Sequence, residues 1–285
     1  MDRISVASAG SPSGRTASPH SAARSHVPTA APQGAVVRTS AFQVYWAKHL
    51  DEVRQAQQLR YRVFAQEMGA SMSTALAGHD VDHWDDYCEH LLVRDRQTNQ
   101  VVGTYRLLTP PQARRAGRLY IETEFDCAAL APWRASMAEL GRSCVHPAWR
   151  SGAVMLALWS ELAGFMHRNH LHTMVGCASL PMQQAGMRYG EAPARIWAQL
   201  PAASHCAPAW RVQPHVPFPL QTHLRKEDAA SKSVVSLPPL VHGYLRMGAK
   251  VLGPPAWDPD FQTADLPIML HVHALPARYQ RTRVS

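Results

Sequence analysis

AELGRSCVHPAWRSGAVM, residues 138–155, sets an acid (Glu139) and an arginine (Arg142) inside an apolar run, then passes through a short proline-containing loop into a helical pattern. MAELGRSCV (137–145) reads as a central strand. GAVMLALWSELAGFMH (152–167) reads as a helix, with Met155, Leu158, Trp159, Leu162, Phe165 and Met166 along one face. HTMVGCASL (172–180) follows at once as a second strand. Strand, loop, helix and strand in that order make a βαβ unit, which normally joins two parallel strands by a right-handed crossover. The backbone N–H groups of Ser151, Gly152 and Ala153 then fall at the helix N-terminus, without intrahelical partners and at the positive end of the helix dipole. Such a turn is a place for an anion such as a phosphate, and Arg150 would add a charge-assisted contact.

Working outward, FQVYWAK (42–48) suits a first strand. Val53, Ala56, Leu59 and Val63 then recur at helical spacing as far as Gly69, where the helix should stop. An acidic loop, HDVDHWDDYCEH (79–90), leads to two strands, HLLVRD (90–95) and VVGTYRLL (101–108), whose polar link RQTNQ marks a hairpin. RLYIETEF (118–125) reads as a strand or a strand-to-helix segment. Residues from about 190 to 236 are proline-rich and weakly periodic, so they are expected to be mostly loop or an insert. LPPLVHGYLRMGAK (237–250) and DLPIMLHV (265–272) read as one more helix and at least one strand. Residues 1–40, rich in Ser, Ala, Pro and Arg with Asp2 as their only acid, bury too little apolar surface to offset their ordering entropy and are expected to form a disordered tail.

Composition narrows the partners. With 46% hydrophobic residues the chain can build a real core, and no apolar run is long enough to cross a bilayer. A cytoplasmic protein is expected. Five scattered cysteines without a CxxC pair suggest free thiols rather than a disulfide framework or a zinc site. Among sixteen histidines neither the group His167, His170 and His172 nor the pair His271 and His273 supplies three ligands at convincing spacing, so no metal is expected. A net charge of +8 favours an acidic partner, while the dispersal of the arginines speaks against nucleic acid.

Six segments carry a resemblance: LRYRVFAQEMGA, DDYCEHLLV, VVGTYRLL, ELGRSCVHPAWRSGAV, LPPLVHGYLRMGAKV and AWDPDFQTADLPIML. Together, and in this order over roughly residues 42–280, they resemble the bacterial ornithine N-alpha-acyltransferases of ornithine-lipid synthesis. The resemblance implies an α/β fold of the GCN5-related N-acetyltransferase type, similar to the acyl-homoserine-lactone synthases. Residues 41–285 would form one acyltransferase domain with a mixed central sheet flanked by helices. The acetyltransferase relatives hold a coenzyme A pyrophosphate with a loop of Arg or Gln, two residues, Gly, one residue, and Gly or Ala. Here Arg150 to Met155 offers one glycine, one place early. That departure fits a donor with a single phosphate, the acyl-phosphopantetheine of acyl carrier protein, and no tightly bound cofactor. Carrier proteins are acidic, which would give the positive charge its partner.

The implied reaction moves a 3-hydroxy fatty acyl group from carrier protein to the α-amine of L-ornithine, giving lyso-ornithine lipid. It needs a neutral amine, a stabilised oxyanion, a protonated leaving thiolate and alignment. Glu139 is the candidate base, since a carboxylate inside an apolar strand should have a raised pKa; the competing reading pairs it structurally with Arg142 or Arg106. The fold implies that backbone near Cys144 and Val145 holds the oxyanion and that Arg150, Ser151, Gly152 and Ala153 complete the phosphopantetheine site. Ornithine carries a carboxylate, for which Arg60, Arg106 and Arg142 are candidates, and a distal ammonium, for which Asp82, Asp85 and Asp86 are candidates. Arg62 is a weaker candidate. Ser179, Tyr189 or a water could protonate the thiolate. Cys144 and Cys177 are read as core residues, so transfer is expected to be direct. The product's fatty tail implies peripheral contact with the inner membrane, with Trp197, Trp210 and Phe218 forming either an amphiphilic rim or a buried cover on the sheet. The alternatives are an acyl-homoserine-lactone synthase, another long-chain N-acyl amino acid synthase, or a non-catalytic module that binds acyl chains or carrier protein.

Overall fold

Residues 41–71, 75–224 and 235–276 are described by the computed structural model. The tail expected over residues 1–40 lies outside them. In chain order the elements are β1 (Phe42–Trp46), α1 (Leu50–Tyr61), β2 (Glu89–Asp95), β3 (Val101–Leu108), α2 (Pro110–Ala116), β4 (Phe125–Asp126), β5 (Met137–Val145) and α3 (Ala153–Arg168). There follow β6 (Thr173–Pro181), α4 (Glu191–Gln199), β7 (Gln213–Pro214), α5 (Leu220–His223), α6 (Pro239–Arg246), β8 (Lys250–Val251), β9 (Ala256–Asp258) and β10 (Thr263–His271). The main sheet runs β1-β2-β3-β5-β6-β10-β8, with β9 also on β10. All of its pairings are antiparallel except β5 with β6. The expected βαβ unit is therefore present, and α3 is its crossover helix. Val154, Leu158, Trp159, Leu162 and Met166 of α3 are buried in one core with Leu91, Val93, Val102 and Tyr105 from the sheet.

Two local features shape the middle of the sheet. β5 and β6 pair only at Met137 with Thr173, Ala138 with Met174 and Glu139 with Val175, then part. At the parting point a Cβ on Gly176 would stand 2.2 Å from the Leu140 carbonyl oxygen, so only glycine lets the two backbones approach before they separate. On its other edge β5 bulges. Thr104 faces Cys144 while Arg106 faces Gly141, which leaves Arg142 and Ser143 against the single residue Tyr105. Arg142 takes φ +50°, a left-handed backbone seldom adopted by side-chain-bearing residues.

Several expectations need revision. The first helix is α-helical only to Tyr61 and continues as a wider π-type turn over Arg62–Glu67 before Gly69 (φ +78°) ends it. RLYIETEF forms a single 3-10 turn, Ile121–Thr123, ahead of the two-residue β4. Among its described residues the proline-rich stretch contains α4, whose first six residues are all buried, so residues 190–224 are packed and not mainly loop, while 225–234 lie outside the described residues. Phe218 is buried, and Trp197 and Trp210 pack against the cores; these aromatics form the cover on the sheet rather than an amphiphilic rim. No helix among the described residues is long and apolar enough to cross a membrane.

Gly176→Ala should destabilise the fold by about 1–3 kcal/mol through overpacking against the Leu140 carbonyl. The expected readout is a lower urea midpoint at unchanged slope; an unaltered midpoint would show that the strands part for another reason.

Candidate active site

Where β5 and β6 separate, a cavity of about 950 Å³ opens between them. Its walls come from the π-type turn, β3, the second half of β5, the start of α3, β6 beyond Gly176, α6 and the β9–β10 region. One arm is apolar, with Met155, Leu156, Trp159, Leu240 and Met247. The other is strongly charged, with Arg106, Glu139, Arg142, Asp258 and Asp265.

Glu139 stands at the last bonded position of the parallel pair and is 4% exposed. Its two oxygens accept the backbone N–H groups of Tyr120 and Ile121, each at 2.6 Å. Burial raises its pKa to about 7 against the pull of these hydrogen bonds and of Arg106 and Arg142. It forms no ion pair with either arginine; both are held by aspartates. Glu139 therefore shapes the 120–121 backbone and also presents a carboxyl group at the cavity wall that is half ionised near neutrality.

Arg60, Arg106 and Arg142 meet Asp80, Asp82 and Asp85 in a buried, charge-balanced knot. Arg60 is fully buried: Nε donates to Asp80 Oδ2, and Nη1 and Nη2 donate to the two Asp85 oxygens, all at 2.8 Å. Arg106 Nη1 bridges Asp82 Oδ1 at 2.5 Å and Asp85 Oδ1 at 3.0 Å. Arg142 Nη2 donates to Asp82 Oδ2 at 3.0 Å, and its guanidinium carbon lies 5.1 Å from the Tyr120 ring centre and 4.6 Å from that of Phe261. Burial alone would raise Asp82 and Asp85, yet the arginines hold both below the ordinary carboxylate range. This corrects the expectation for the acidic loop. Asp82 and Asp85 are occupied by arginines and are not available to an ammonium group, and Asp86 is exposed and outside the knot. Arg60 is consumed entirely and does not line the cavity; Arg106 and Arg142 do. Asp80, which joins Arg60 to Arg142, escaped the sequence reading.

A second acidic group was also missed. Glu124 lies close to Asp258 and Asp265, and the last two line the cavity. Both Glu124 carboxyl oxygens are shut from solvent without a hydrogen-bond partner. Asp265 accepts from Thr263 Oγ1 at 2.7 Å, and Asp258 accepts the N–H groups of Asp260 and Phe261 at 2.9 and 3.1 Å. Burial first, and then mutual repulsion, raises Glu124 to about 9 and Asp265 to about 6, and Asp258 also rises. Acids raised in this way gain from a nearby cation. Glu124, Cys177 and Asp265 also bring one possible donor atom each within 4.8 Å of one another, the one such group of metal-capable side chains among the described residues. Period-two patterning in TADLPIML gave the missing signal for Asp265, because it placed an acid in a strand buried along its length.

At the turn before α3, Gly152 adopts φ +89° and no side chain caps the helix. Arg150 donates to the Val145 carbonyl at 3.1 Å and grips Glu67 with two bonds of 2.5 and 2.7 Å, a partner that the sequence did not foretell. Arg62 lies exposed beside His146. The Cys144 thiol packs with Leu59 and Val63 and is pushed up to about 12 by burial; Cys177 is raised well above its ordinary value for the same reason. Ser179 lines the cavity opposite Asp265, whereas Tyr189 is exposed and bonds Gln262 away from that lining.

Residues 59–160 match the acetyltransferase (GNAT) domain family. A solved CoA-dependent acyl-homoserine lactone synthase shares the fold at 15% identity and a TM-score of 0.50, covering 84% of this chain and 89% of that one. The domain and its cleft define an N-acyltransferase enzyme of the GNAT class. An L-ornithine N(alpha)-acyltransferase of Brucella abortus (strain 2308) is 35% identical over 257 residues, which cover 85% of this chain and 88% of that protein. Another, from Rhizobium meliloti (strain 1021), is 33% identical over 248 residues, covering 82% and 81%. This chain belongs to the L-ornithine N(alpha)-acyltransferase family.

Two outcomes test the electrostatics. Arg60→Met should destabilise the protein by about 3–5 kcal/mol, because it strands buried aspartates without a counter-charge. Because Glu124 is raised from 4.5 to about 9, the folded chain keeps a proton that the unfolded chain has released, so stability should fall as pH rises across that window. Glu124→Gln should flatten the slope, and a slope left intact in urea titrations would contradict this placement of the charge.

Proposed function

We propose that the protein transfers a 3-hydroxy fatty acyl group from the phosphopantetheine of acyl carrier protein to the α-amine of L-ornithine, giving lyso-ornithine lipid. The observation that carries this reading is the cavity with two unlike arms, one apolar and one lined by Arg142 together with the acids Asp258 and Asp265. Ornithine has the matching charges. Arg142, which lines the cavity, would take the carboxylate, and Asp258 and Asp265, with Glu124 beside them, would take the distal ammonium. The names of the family's relatives support ornithine as acceptor.

The chemistry is direct aminolysis. The α-amine nitrogen attacks the thioester carbon, the C–S bond breaks, and the amine gives up a proton as the thiolate gains one. Glu139, with its pKa near 7, takes the proton from the amine directly or through a water. An acyl-cysteine route is disfavoured, since burial keeps both Cys144 and Cys177 protonated. For the donor, the single-glycine turn at Ser151 to Ala153 and the net charge of +8 support a phosphodiester borne by an acidic carrier. Arg150 would exchange Glu67 for the phosphate, a modest change because exposed ion pairs are worth only about 0–1 kcal/mol. The same product chemistry would bring the enzyme to the surface of the inner membrane without a spanning segment.

Purified protein given ornithine and 3-hydroxyacyl carrier protein should release free thiol and form an amide identified by mass spectrometry. Absence of that amide sinks the acceptor, and stronger transfer from acyl-CoA sinks the carrier. Glu139→Gln should slow turnover by about two orders of magnitude and remove a rise in rate through about pH 7. A lower rate with the pH limb preserved would return Glu139 to holding the 120–121 backbone. Asp265→Asn should raise the KM for ornithine by roughly 10–100-fold, the worth of one charge-assisted hydrogen bond, while norvaline is affected less. EDTA should leave both constants unchanged; sensitivity to it would make Glu124, Cys177 and Asp265 metal ligands instead.

A further inference from the structure

Three hydroxyl groups stand together in the otherwise apolar arm. Tyr105 comes from β3, Ser143 from the bulge of β5 and Tyr244 from α6, and all three line the cavity. The tyrosines are 3% and 8% exposed, and their hydroxyl oxygens lie 2.6 Å apart. The Ser143 hydroxyl stands close enough to moderate the burial-driven rise of both phenols, yet its Oγ is closed off from solvent without a well-aligned partner. Around them the wall is apolar, with Trp159 set edge-on to both rings at 6.2 and 5.4 Å.

A count of protons shows what is missing. The Tyr105–Tyr244 hydrogen bond uses one of the three hydroxyl protons and leaves the other two as uncommitted donors. Leaving such donors unpaired in a dry pocket is unfavourable. A plain alkyl chain cannot pair either of them, but an oxygen carried on the chain can. The bulge that turns Arg142 toward the aspartates leaves Ser143 on the tyrosine side, so the charged arm and the hydroxyl cluster lie within one residue of each other on β5. An oxygen recognised there would sit a few bonds from the reacting carbon.

The geometry points to Tyr105, Ser143 and Tyr244 as a hydroxyl-reading subsite that selects acyl donors bearing an oxygen close to the thioester. This deepens the acyl-transfer reading and rests on it for the identity of the ligand. The site acts on choice of donor and not on the bond-making step, so its signature is a ratio between two donors.

The test compares kcat/KM for 3-hydroxydodecanoyl and dodecanoyl carrier protein in the wild type, Tyr105→Phe, Ser143→Ala and Tyr244→Phe. The wild type should prefer the hydroxylated donor, and the variants should lose about 10-fold or more of that preference, the worth of one buried hydrogen bond. A preference that stays intact, or an equal slowing with both donors, overturns the proposal; equal slowing would assign the trio to packing or to the reaction itself. Tyr105→Phe and Tyr244→Phe each delete a single oxygen, so a folding failure in one leaves the other to be read. Calorimetric titration with free 3-hydroxydodecanoate and dodecanoate separates the two levels of argument. If the protein acylates no amine but still prefers the hydroxylated acid through these hydroxyls, the subsite stands and the ornithine reading falls. Equal affinity for the two acids overturns the subsite whatever the activity.

Discussion

The close contact of Gly176 with the Leu140 carbonyl governs the architecture of the cleft. β5 and β6 hold a parallel ladder for three residue pairs, touch where no side chain fits between them, and then diverge. A sheet that stayed bonded would fill its centre with backbone. Because it parts, the second half of β5 loses a neighbour on one side and offers its backbone and side chains to a cavity instead. Glu139 occupies the last paired position, so the candidate base sits on the rigid side of the fork.

The bulge on the opposite edge of β5 sets the chemistry along that wall. Two residues face one on β3, and the extra length is absorbed at Arg142 in a left-handed conformation. Holding that backbone requires compensation, and the knot of three arginines with three aspartates supplies it by fixing the Arg142 guanidinium against Asp82, Tyr120 and Phe261. Buried ion pairs contribute little net stability against desolvation, but each becomes strongly unfavourable when half is removed. The knot therefore acts as a positional constraint, tying α1, the acidic loop, β3 and β5 into one frame around the cleft.

The two arms differ in how they treat polarity. In the charged arm, acids are buried together and their pKa values rise, a state that a bound cation would relieve. In the apolar arm, hydroxyls are buried among rings and methionines, with two protons left over. Both are places where the free protein is less well satisfied than it would be with a ligand, which is how a site favours its substrate over water.

Local pattern was enough for much of this. Period-two runs gave the β2–β3 hairpin, β5, β6 and β10, and the 3.6-residue period gave α1 and α3. The order of elements gave the parallel unit, and an acid inside an apolar strand gave the buried Glu139. Pairing among charges was beyond local reading, because Asp82 and Asp85 look alike whether they wait for a substrate or serve an arginine. Glu124 is distant in the chain from Asp258 and Asp265, as Tyr105, Ser143 and Tyr244 are from one another, and nothing in their spacing links them. Periodicity reports which face of an element is buried; the partner on that face depends on how strands cross, bulge and separate. Local pattern is thus enough for most elements and for the family, whereas which charges neutralise one another and which stay open for a ligand depends on contacts between elements far apart in the chain.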